Sequence, residues 1–326
     1  MKNPPLLAIV VPCYCEEAVV EETARRLTAV VDRLVASGDA DARSHILFVN
    51  DGSTDRTWAL IEQLHRQNRR VDGLNLAANV GHQAALLAGL DVAAGRSDAV
   101  VSIDADLQDD PDVIPQMVAA YRAGADVVFG VRRSRTTDSR FKRVTALAFY
   151  RLMNALGTPT VYNHADFRLL SRRAARQLCR YRERNLFLRG IVPLIGYPSA
   201  KVYYDRAERF AGESKYPLRR MVNFAIDGIT SFSVRPVRFV FALGCVFVLI
   251  ALVAAGFVLW SWMKGTLVQG WASLFLSMWF IGGCVLMALG VIGEYIGKIY
   301  IEVKDRPRYN VERTLFHDEE DTRREK

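Results

Sequence analysis

Two carboxylates one residue apart, Asp104 and Asp106, close a β-branched run and are followed by Gln108, Asp109, Asp110 and Pro111. On an extended chain residues i and i+2 point the same way, so Asp104, Asp106 and Gln108 would gather their oxygens at the carboxyl end of a strand. Like charges that close are costly unless a cation lies between them. An all-oxygen set suits Mg²⁺ or Mn²⁺, which bind through a few protein groups together with substrate phosphates. The same residues also fit a plainer reading, an acidic turn capping the helix that Pro111 begins.

Three more apolar runs end in groups able to bind something. Val10-Val-Pro12-Cys-Tyr14-Cys-Glu16-Glu17 places an aromatic and a carboxylate after a rigid turn. Tyr14 could stack on a flat base and Glu16 accept from its N–H, or the segment is an ordinary strand-to-helix turn. In Val49-Asn50-Asp51-Gly52-Ser53-Thr54-Asp55, Gly52 permits a tight turn and Ser53 or Asp55 can cap a helix. That leaves Asp51 as a carboxylate free to accept from a base or ribose. Asn79-Val-Gly81-His82-Gln83 offers a close-approach glycine with polar neighbours, or simply another helix start.

The elements that must position these turns are short apolar runs at Leu6–Pro12, Ile46–Asn50, Gly73–Leu76, Val100–Ile103 and Val127–Val131. Helical-period segments lie between them, at Glu16–Ala36, Asp55–Gln67, Gly81–Ala94 and Pro111–Ala123. The alternation predicts an α/β domain with a mostly parallel sheet covered on both faces. Such sheets bind ligands beyond the carboxyl ends of their strands, which is where every turn above falls.

From Phe239 to Met263 and from Gly265 to Gly293 no residue is charged. Each run exceeds the roughly 20 residues that cross a hydrocarbon core. With Lys264 the one charge between them, they read as a membrane hairpin, the alternative being two buried core helices. Arg235 and Arg238 precede the first run, and Lys298, Lys304, Arg306 and Arg308 follow the second, which predicts both ends in the cytoplasm. The N-terminus reads directly into a strand and not as a signal peptide. Five scattered cysteines without C-x-x-C spacing read as reduced thiols.

Of the net charge of +8, six basic residues lie between Arg132 and Arg143 and eight arginines between Arg168 and Arg189. Basic surface beside a membrane hairpin implies anionic lipid or a lipid-linked phosphate; no motif for nucleic acid accompanies it. Phe141–Leu156 and Pro217–Phe232 mix basic and aromatic residues, as interfacial amphipathic helices or covering helices of the domain would. The interfacial reading is favoured for Pro217–Phe232, just before the hairpin. The tail from Tyr300 to Phe316 is expected to form a hairpin or to pair with a neighbouring subunit.

Taken together, V-V-P-C-Y-x-E-E, V-N-D-G-S-T-D, N-x-G-H-Q-A-A, D-A-D-L-Q-D, D-F-R-L-L, R-x-x-R-x-A-G-E-S-K-Y and G-E-Y-I-G-K-I-Y give a chain that resembles the polyprenyl-phosphate glycosyltransferases. These are inverting enzymes of glycosyltransferase family 2 with the GT-A fold. The resemblance runs from about Leu6 to Tyr309 and is strongest to bacterial bactoprenol glucosyltransferases, with dolichyl-phosphate mannose synthases and aminoarabinose-lipid transferases as cousins. One departure is Cys15, where the family usually has Asn, so a polar contact at the rim of the base pocket is in question.

The resemblance implies a cytoplasmic GT-A domain over 1–216, a juxtamembrane helix over 217–236, membrane helices over 237–263 and 268–293, and a cytoplasmic tail over 294–326. It implies a bacterial inner-membrane enzyme that transfers a sugar, glucose from UDP-glucose before others, to undecaprenyl phosphate. Pro12, Tyr14, Glu16, Asp51, Asn79 and Asp104 would bind the nucleotide-sugar; Asp106 and Gln108, with Asp104, would hold the metal. Arg132, Arg206, Arg209, Ser214 and Lys215 would bind the acceptor phosphate, and Asp106, Arg132 and Asp166 would serve the reaction. A phosphate acceptor is already anionic at neutral pH, so Asp166 is a base, an orienting group, or a salt-bridge partner of Arg168 or another nearby arginine. Similar proteins associate through their membrane segment and tail, which implies a homo-oligomer such as a tetramer. Rival readings are another sugar (mannose, N-acetylhexosamine, modified arabinose) or a silent nucleotide-sugar-binding partner of a flippase. A processive synthase would carry a Q-x-x-R-W motif, absent here.

Overall fold

A strand covered on both faces should be apolar at nearly every position, and Leu7–Cys13 (β1) is buried at all seven. His45–Asn50 (β2), Val71–Leu76 (β3) and Ala99–Ser102 (β4) are also buried at nearly every position; β2 and β4 flank β1 and β3 flanks β2, all in parallel. The computed structural model describes residues 3–133, 164–183, 188–205, 235–264 and 270–317.

Pro12 lies in this central strand, a place proline normally avoids because it donates no ladder hydrogen bond. Alternate residues of β1 face alternate neighbours: the Val10 carbonyl accepts from Ile103 N–H at 3.1 Å, and the Cys13 carbonyl from Asp51 N–H at 2.9 Å. Pro12 therefore faces the β4 side, past the last β1–β4 pair at Val10 and Ser102. No ladder bond is lost there.

The connecting helices are α1 (Val20–Ala36), α2 (Thr57–Gln67) and α3 (His82–Arg96). Helix α1 starts four residues later than Glu16 because the Glu16 carbonyl accepts from the Val19 and Val20 N–H groups in a turn. Val20, Ala24, Leu27, Val31 and Leu34 form its buried stripe, each larger side chain contributing about 1.5–3 kcal/mol. A 3-10 turn at Pro111–Val113, capped by the Asp110 carboxylate on Asp112 N–H, leads into α4 (Ile114–Arg122). The capping reading of the acidic run thus holds for Asp110.

Beyond β5 (Val127–Arg132) lie elements the hydrophobic pattern did not announce: β6 (His164–Ser171), α5 (Arg172–Cys179), α6 (Leu188–Leu194) and β7 (Ser199–Tyr204). The eight-stranded sheet runs β7-β5-β6-β4-β1-β2-β3-β8, with β6 antiparallel to both neighbours. The last strand, β8 (Val311–Leu315), pairs antiparallel with β3 of the same chain. The tail is therefore an edge strand of the sheet, not a hairpin of its own.

Residues 306–317 belong to the sheet unit, and the described residues of 235–305 form a second unit. That unit holds α7 (Arg235–Met263) and α8 (Trp271–Val303), about 43 and 50 Å long at 1.5 Å per residue. They meet through Phe247 and Phe280, whose rings are 5.4 Å apart. Both helices expose large apolar side chains, among them Phe241, Leu249, Val253, Met263, Met278 and Leu286. Among the described residues one segment, Phe280–Val303, is long and apolar enough to cross a membrane. Phe141–Leu156 and Pro217–Phe232 lie outside the described residues.

The turns after β2 and β3 touch at Gly52. Its φ is +61°, and a Cβ there would come within 2.5 Å of Asn79 N and 2.6 Å of Ala78 C. Those obstacles are backbone and cannot swing aside. Gly52→Ala is expected to lower stability by more than about 1 kcal/mol, read as an earlier denaturation midpoint; an unchanged midpoint would contradict the contact.

Candidate active site

Strands β1 to β5 and β7 all point their carboxyl ends to one edge, and antiparallel β6 begins there. The β4–β6 register pairs Ser102 with Arg168; continued by two residues, it sets Asp104 opposite Asp166. The Ala105 carbonyl between the two acidic residues accepts from the Thr23 hydroxyl of α1 at 2.8 Å, which anchors the loop. Leu107 is buried with φ 55°, a left-handed conformation that costs a non-glycine residue roughly 1–2 kcal/mol. It bends the chain so that Gln108 N–H donates to Asp106 Oδ1 at 3.2 Å.

Asp104 is about one-third exposed, and His82 Nε2 at the start of α3 lies 3.4 Å from its Oδ1. Its carboxyl is pushed up to about 6, first by burial and then by the negative charges of Asp166, Asp109 and Asp106, against the opposing pull of His82. Asp109 is buried, and its Oδ1 accepts from Arg132 Nη2 at 2.9 Å and from the Tyr204 hydroxyl at 2.6 Å. Its Oδ2 is buried without a hydrogen-bond partner.

Asp166 sits in an arginine clamp. Arg168, itself buried, donates to Oδ1, and Arg189 Nη2 donates to Oδ2 at 2.9 Å. Burial alone would raise this carboxyl; the charges of Arg189 and Arg168 and the Arg189 hydrogen bond outweigh it and hold the group well below the usual carboxylate range. A carboxylate so stabilised is a weak base. Of the three roles open to Asp166, the geometry supplies the salt bridge and leaves orientation; proton removal is disfavoured.

The turn residues fall as follows. Pro12 is buried, while Tyr14, about half exposed, and Glu16 flank the β1 exit. Cys15 N–H donates to Ser53 Oγ and Glu16 N–H to Thr57 Oγ1, both at 2.9 Å, which ties the first two turns together. Asp51 corrects its expectation. It is buried, and its two oxygens accept from Val80 and Gly81 N–H at 2.7 and 3.0 Å, so it braces the β3–α3 loop instead of standing free. Asn79 is exposed in that loop. Arg132 is likewise engaged, its Nη2 on Asp109 and its Nε 3.3 Å from the Tyr204 hydroxyl, with about a fifth of its side chain exposed. Arg206, Arg209, Ser214 and Lys215 lie outside the described residues.

Reading by motif passed over His82, Tyr204 and Arg189 as site residues. His82 stood within a quoted motif; Tyr204 closes the short apolar run Val202-Tyr203-Tyr204. Nothing local to Arg189 signals that it reaches Asp166.

A divalent cation fits this edge. Asp104 is raised by burial and by the carboxylates around it, Asp109 leaves a buried oxygen unpaired, and Asp104, Asp106 and Gln108 each offer side-chain oxygens, the ligands hard ions prefer.

The mostly parallel sheet with an acidic site at the carboxyl ends of its strands defines a class of α/β protein, and comparison supplies the family. The sequence profile described as glycosyl transferase family 2 matches residues 8–179. An uncharacterized glycosyltransferase, YkoT of Bacillus subtilis (strain 168), is 55% identical over 98% of this chain and 94% of its own. The SfII prophage-derived bactoprenol glucosyl transferase of Shigella flexneri is 44% identical over 82% of this chain and 87% of its own. A prophage bactoprenol glucosyl transferase homolog of Escherichia coli (strain K12) is 43% identical over 82% and 88%. The chain belongs to glycosyl transferase family 2. It is a glycosyltransferase with the GT-A α/β fold and a mostly parallel sheet.

Two outcomes test this geometry. Asp166→Asn leaves buried Arg168 without its carboxylate and is expected to cost about 3–5 kcal/mol of stability, read by chemical denaturation. Because the folded carboxyl lies below its ordinary value near 4, the clamp's contribution is complete above that pH and is lost as pH falls beneath it; the variant's deficit should shrink in acid. Cys15 has φ 54°, a conformation Asn accepts more readily than Cys. Cys15→Asn should raise the melting temperature by an amount corresponding to less than about 1 kcal/mol, and a lower one would refute the strain.

Proposed function

We propose that this enzyme transfers glucose from UDP-glucose to undecaprenyl phosphate at the cytoplasmic face of a bacterial inner membrane. The observation that carries the reading is the gathering of Asp104, Asp106, Asp109 and Asp166 at the carboxyl edge beside β4. Relatives named bactoprenol glucosyl transferases, matched over four-fifths of this chain, support the sugar and the lipid.

In this reading Tyr14 and Glu16 meet the base, Pro12 shapes the floor beneath it, and Asn79 and Asp104 meet the ribose or sugar. Asp51 acts by holding the loop that carries Asn79. Asp104, Asp106 and Gln108 would hold Mg²⁺ or Mn²⁺. When bound, the ion supplies positive charge to the diphosphate that leaves. Asp166, kept ionised by Arg168 and Arg189, orients the acceptor instead of deprotonating it. That division suits a phosphate nucleophile, whose second pKa near 6 leaves an anionic oxygen at neutral pH. The oxygen attacks C1 of the sugar in one displacement, the bond from C1 to UDP breaks, and the product is inverted at that carbon. Arg132 steadies the edge through Asp109 and presents the remainder of its charge to the acceptor phosphate, together with Arg206, Arg209, Ser214 and Lys215.

Helices α7 and α8 form a two-helix membrane hairpin with both chain ends in the cytoplasm. Their exposed apolar side chains need an apolar solvent. Each also ends in an aromatic–lysine pair suited to a headgroup layer: Lys264 over Trp260 at 4.0 Å and Lys304 over Tyr300 at 3.9 Å. The hairpin would keep the site at the depth where a polyprenyl phosphate emerges, and it offers a surface for homo-oligomers.

The test is a panel of UDP- and GDP-sugars with a short-chain polyprenyl phosphate, with and without EDTA. Transfer from UDP-glucose that EDTA abolishes, and that Asp106→Ala lowers by at least about 100-fold (~2.7 kcal/mol), is expected. Transfer from a different donor would replace the sugar; none from any donor would sink the reading. Binding of donors without turnover would favour a silent partner protein.

A further inference from the structure

Asp166 has two arginines where one would neutralise it. The side chain of Arg168 is 1% exposed, so its charge is spent in the interior on this carboxylate. Arg189 is a second cation on the same carboxylate, and 39% of its side chain is exposed. A buried charge demands a partner, whereas a charge that solvent reaches gains little from one. The pairing of Arg189 therefore does less for stability than for where its guanidinium is held.

That place is fixed from several sides. Arg189 Nη2 donates to Asp166 Oδ2 at 2.9 Å, and Nε lies 3.3 Å from the same oxygen, so two N–H groups of one planar fork meet one carboxylate. The backbone before it is gripped at buried Leu188. The Leu188 N–H donates to Gln83 Oε1 at 2.9 Å, and the Leu188 carbonyl accepts from Arg168 Nη1 at 3.4 Å. Gln83 follows His82, which faces Asp104. The start of α3 thus meets Asp104 with one residue and locates Arg189 with the next.

Continuing the β4–β6 register puts Asp166 opposite Asp104 on the neighbouring strand, and adjacent strands lie about 4.7–4.9 Å apart. An anion on Arg189 would sit within a few such spacings of the edge that suits the ion and the diphosphate. A guanidinium is always charged, and its fork matches the oxygens of a phosphate. Resting on the proposed transfer to a polyprenyl phosphate, we infer that Arg189 binds the phosphate of the acceptor. Asp166 then orients the acceptor through Arg189 and does not touch it. Two anions brought together directly would repel, while an arginine between them attracts both.

Farnesyl phosphate and farnesol separate recognition of the phosphate from recognition of the chain. Full-length protein in detergent would be titrated with each in the presence of UDP. Transfer would then be measured with the donor that supports it, varying donor and acceptor in turn. Wild type is expected to prefer farnesyl phosphate. Arg189→Gln should lose at least about 10-fold in affinity for it, the scale of a hydrogen bond to a charged group, and raise the acceptor KM to match while the donor KM holds. Arg189→Lys, which keeps the charge without the fork, should fall between the two. Unchanged acceptor affinity and KM in Arg189→Gln would overturn the assignment. So would a rise confined to the donor KM, which puts the arginine on the diphosphate, or a fall in melting temperature with both KM values degraded together, which makes the contact structural. Wild type that binds farnesyl phosphate no better than farnesol would sink the polyprenyl-phosphate acceptor itself, and Arg189's role with it.

Discussion

Everything at the carboxyl edge answers to one electrostatic constraint: four carboxylates share a small volume at the end of β4 and the start of β6. The chain neutralises two of them from within. Asp109 receives Arg132 and the Tyr204 hydroxyl, and Asp166 receives Arg168 and Arg189. Asp104 faces the half-exposed His82 imidazole, and burial, with the neighbouring carboxylates, raises its carboxyl against that pull. Protein cations thus hold Asp109 and Asp166, while Asp104 faces the His82 imidazole. Such an arrangement is poorly satisfied by water and well satisfied by a cation delivered with an anionic substrate.

The backbone around this edge is bent at a cost and then braced. Leu107 and Cys15 both adopt left-handed conformations without being glycine. Thr23 holds Ala105, Ser53 holds Cys15, and Asp51 grips the N–H groups of Val80 and Gly81. Strain of this kind persists where surrounding bonds over-determine the loop, and it concentrates at functional sites. Preorganised groups need little rearrangement when charge develops against them.

The sheet from β1 to β5 was legible because its strands are continuous apolar runs separated by helical periods, and periodicity reports burial directly. Strand β6 was not, since His164-Ala-Asp166-Phe-Arg168 breaks the apolar run with the very charges that make it functional. Its arginine is buried only because a partner carboxylate stands two residues away. Strand β8 was hidden for another reason: as an exposed edge, Val-Glu-Arg-Thr-Leu buries little and carries little signal. The site's chemistry was readable where residues sit close in sequence, as in Asp104-Ala-Asp106-Leu-Gln108. It did not reveal the partners of Asp51, which are 29 and 30 residues away, or those of Arg132, which are 23 and 72 away. Motifs name side chains; the sheet register decides which of them are already spoken for.

Because β8 lies after α8 in the chain and pairs with β3, the sheet is completed by a segment that follows both long helices. During synthesis β3 stays an open edge, able to recruit a foreign strand, until both apolar helices have left the ribosome. Maturation of the soluble-looking half is thereby yoked to translation of the greasy half, and a truncated polypeptide would carry an unsealed sheet that quality-control proteases can recognise.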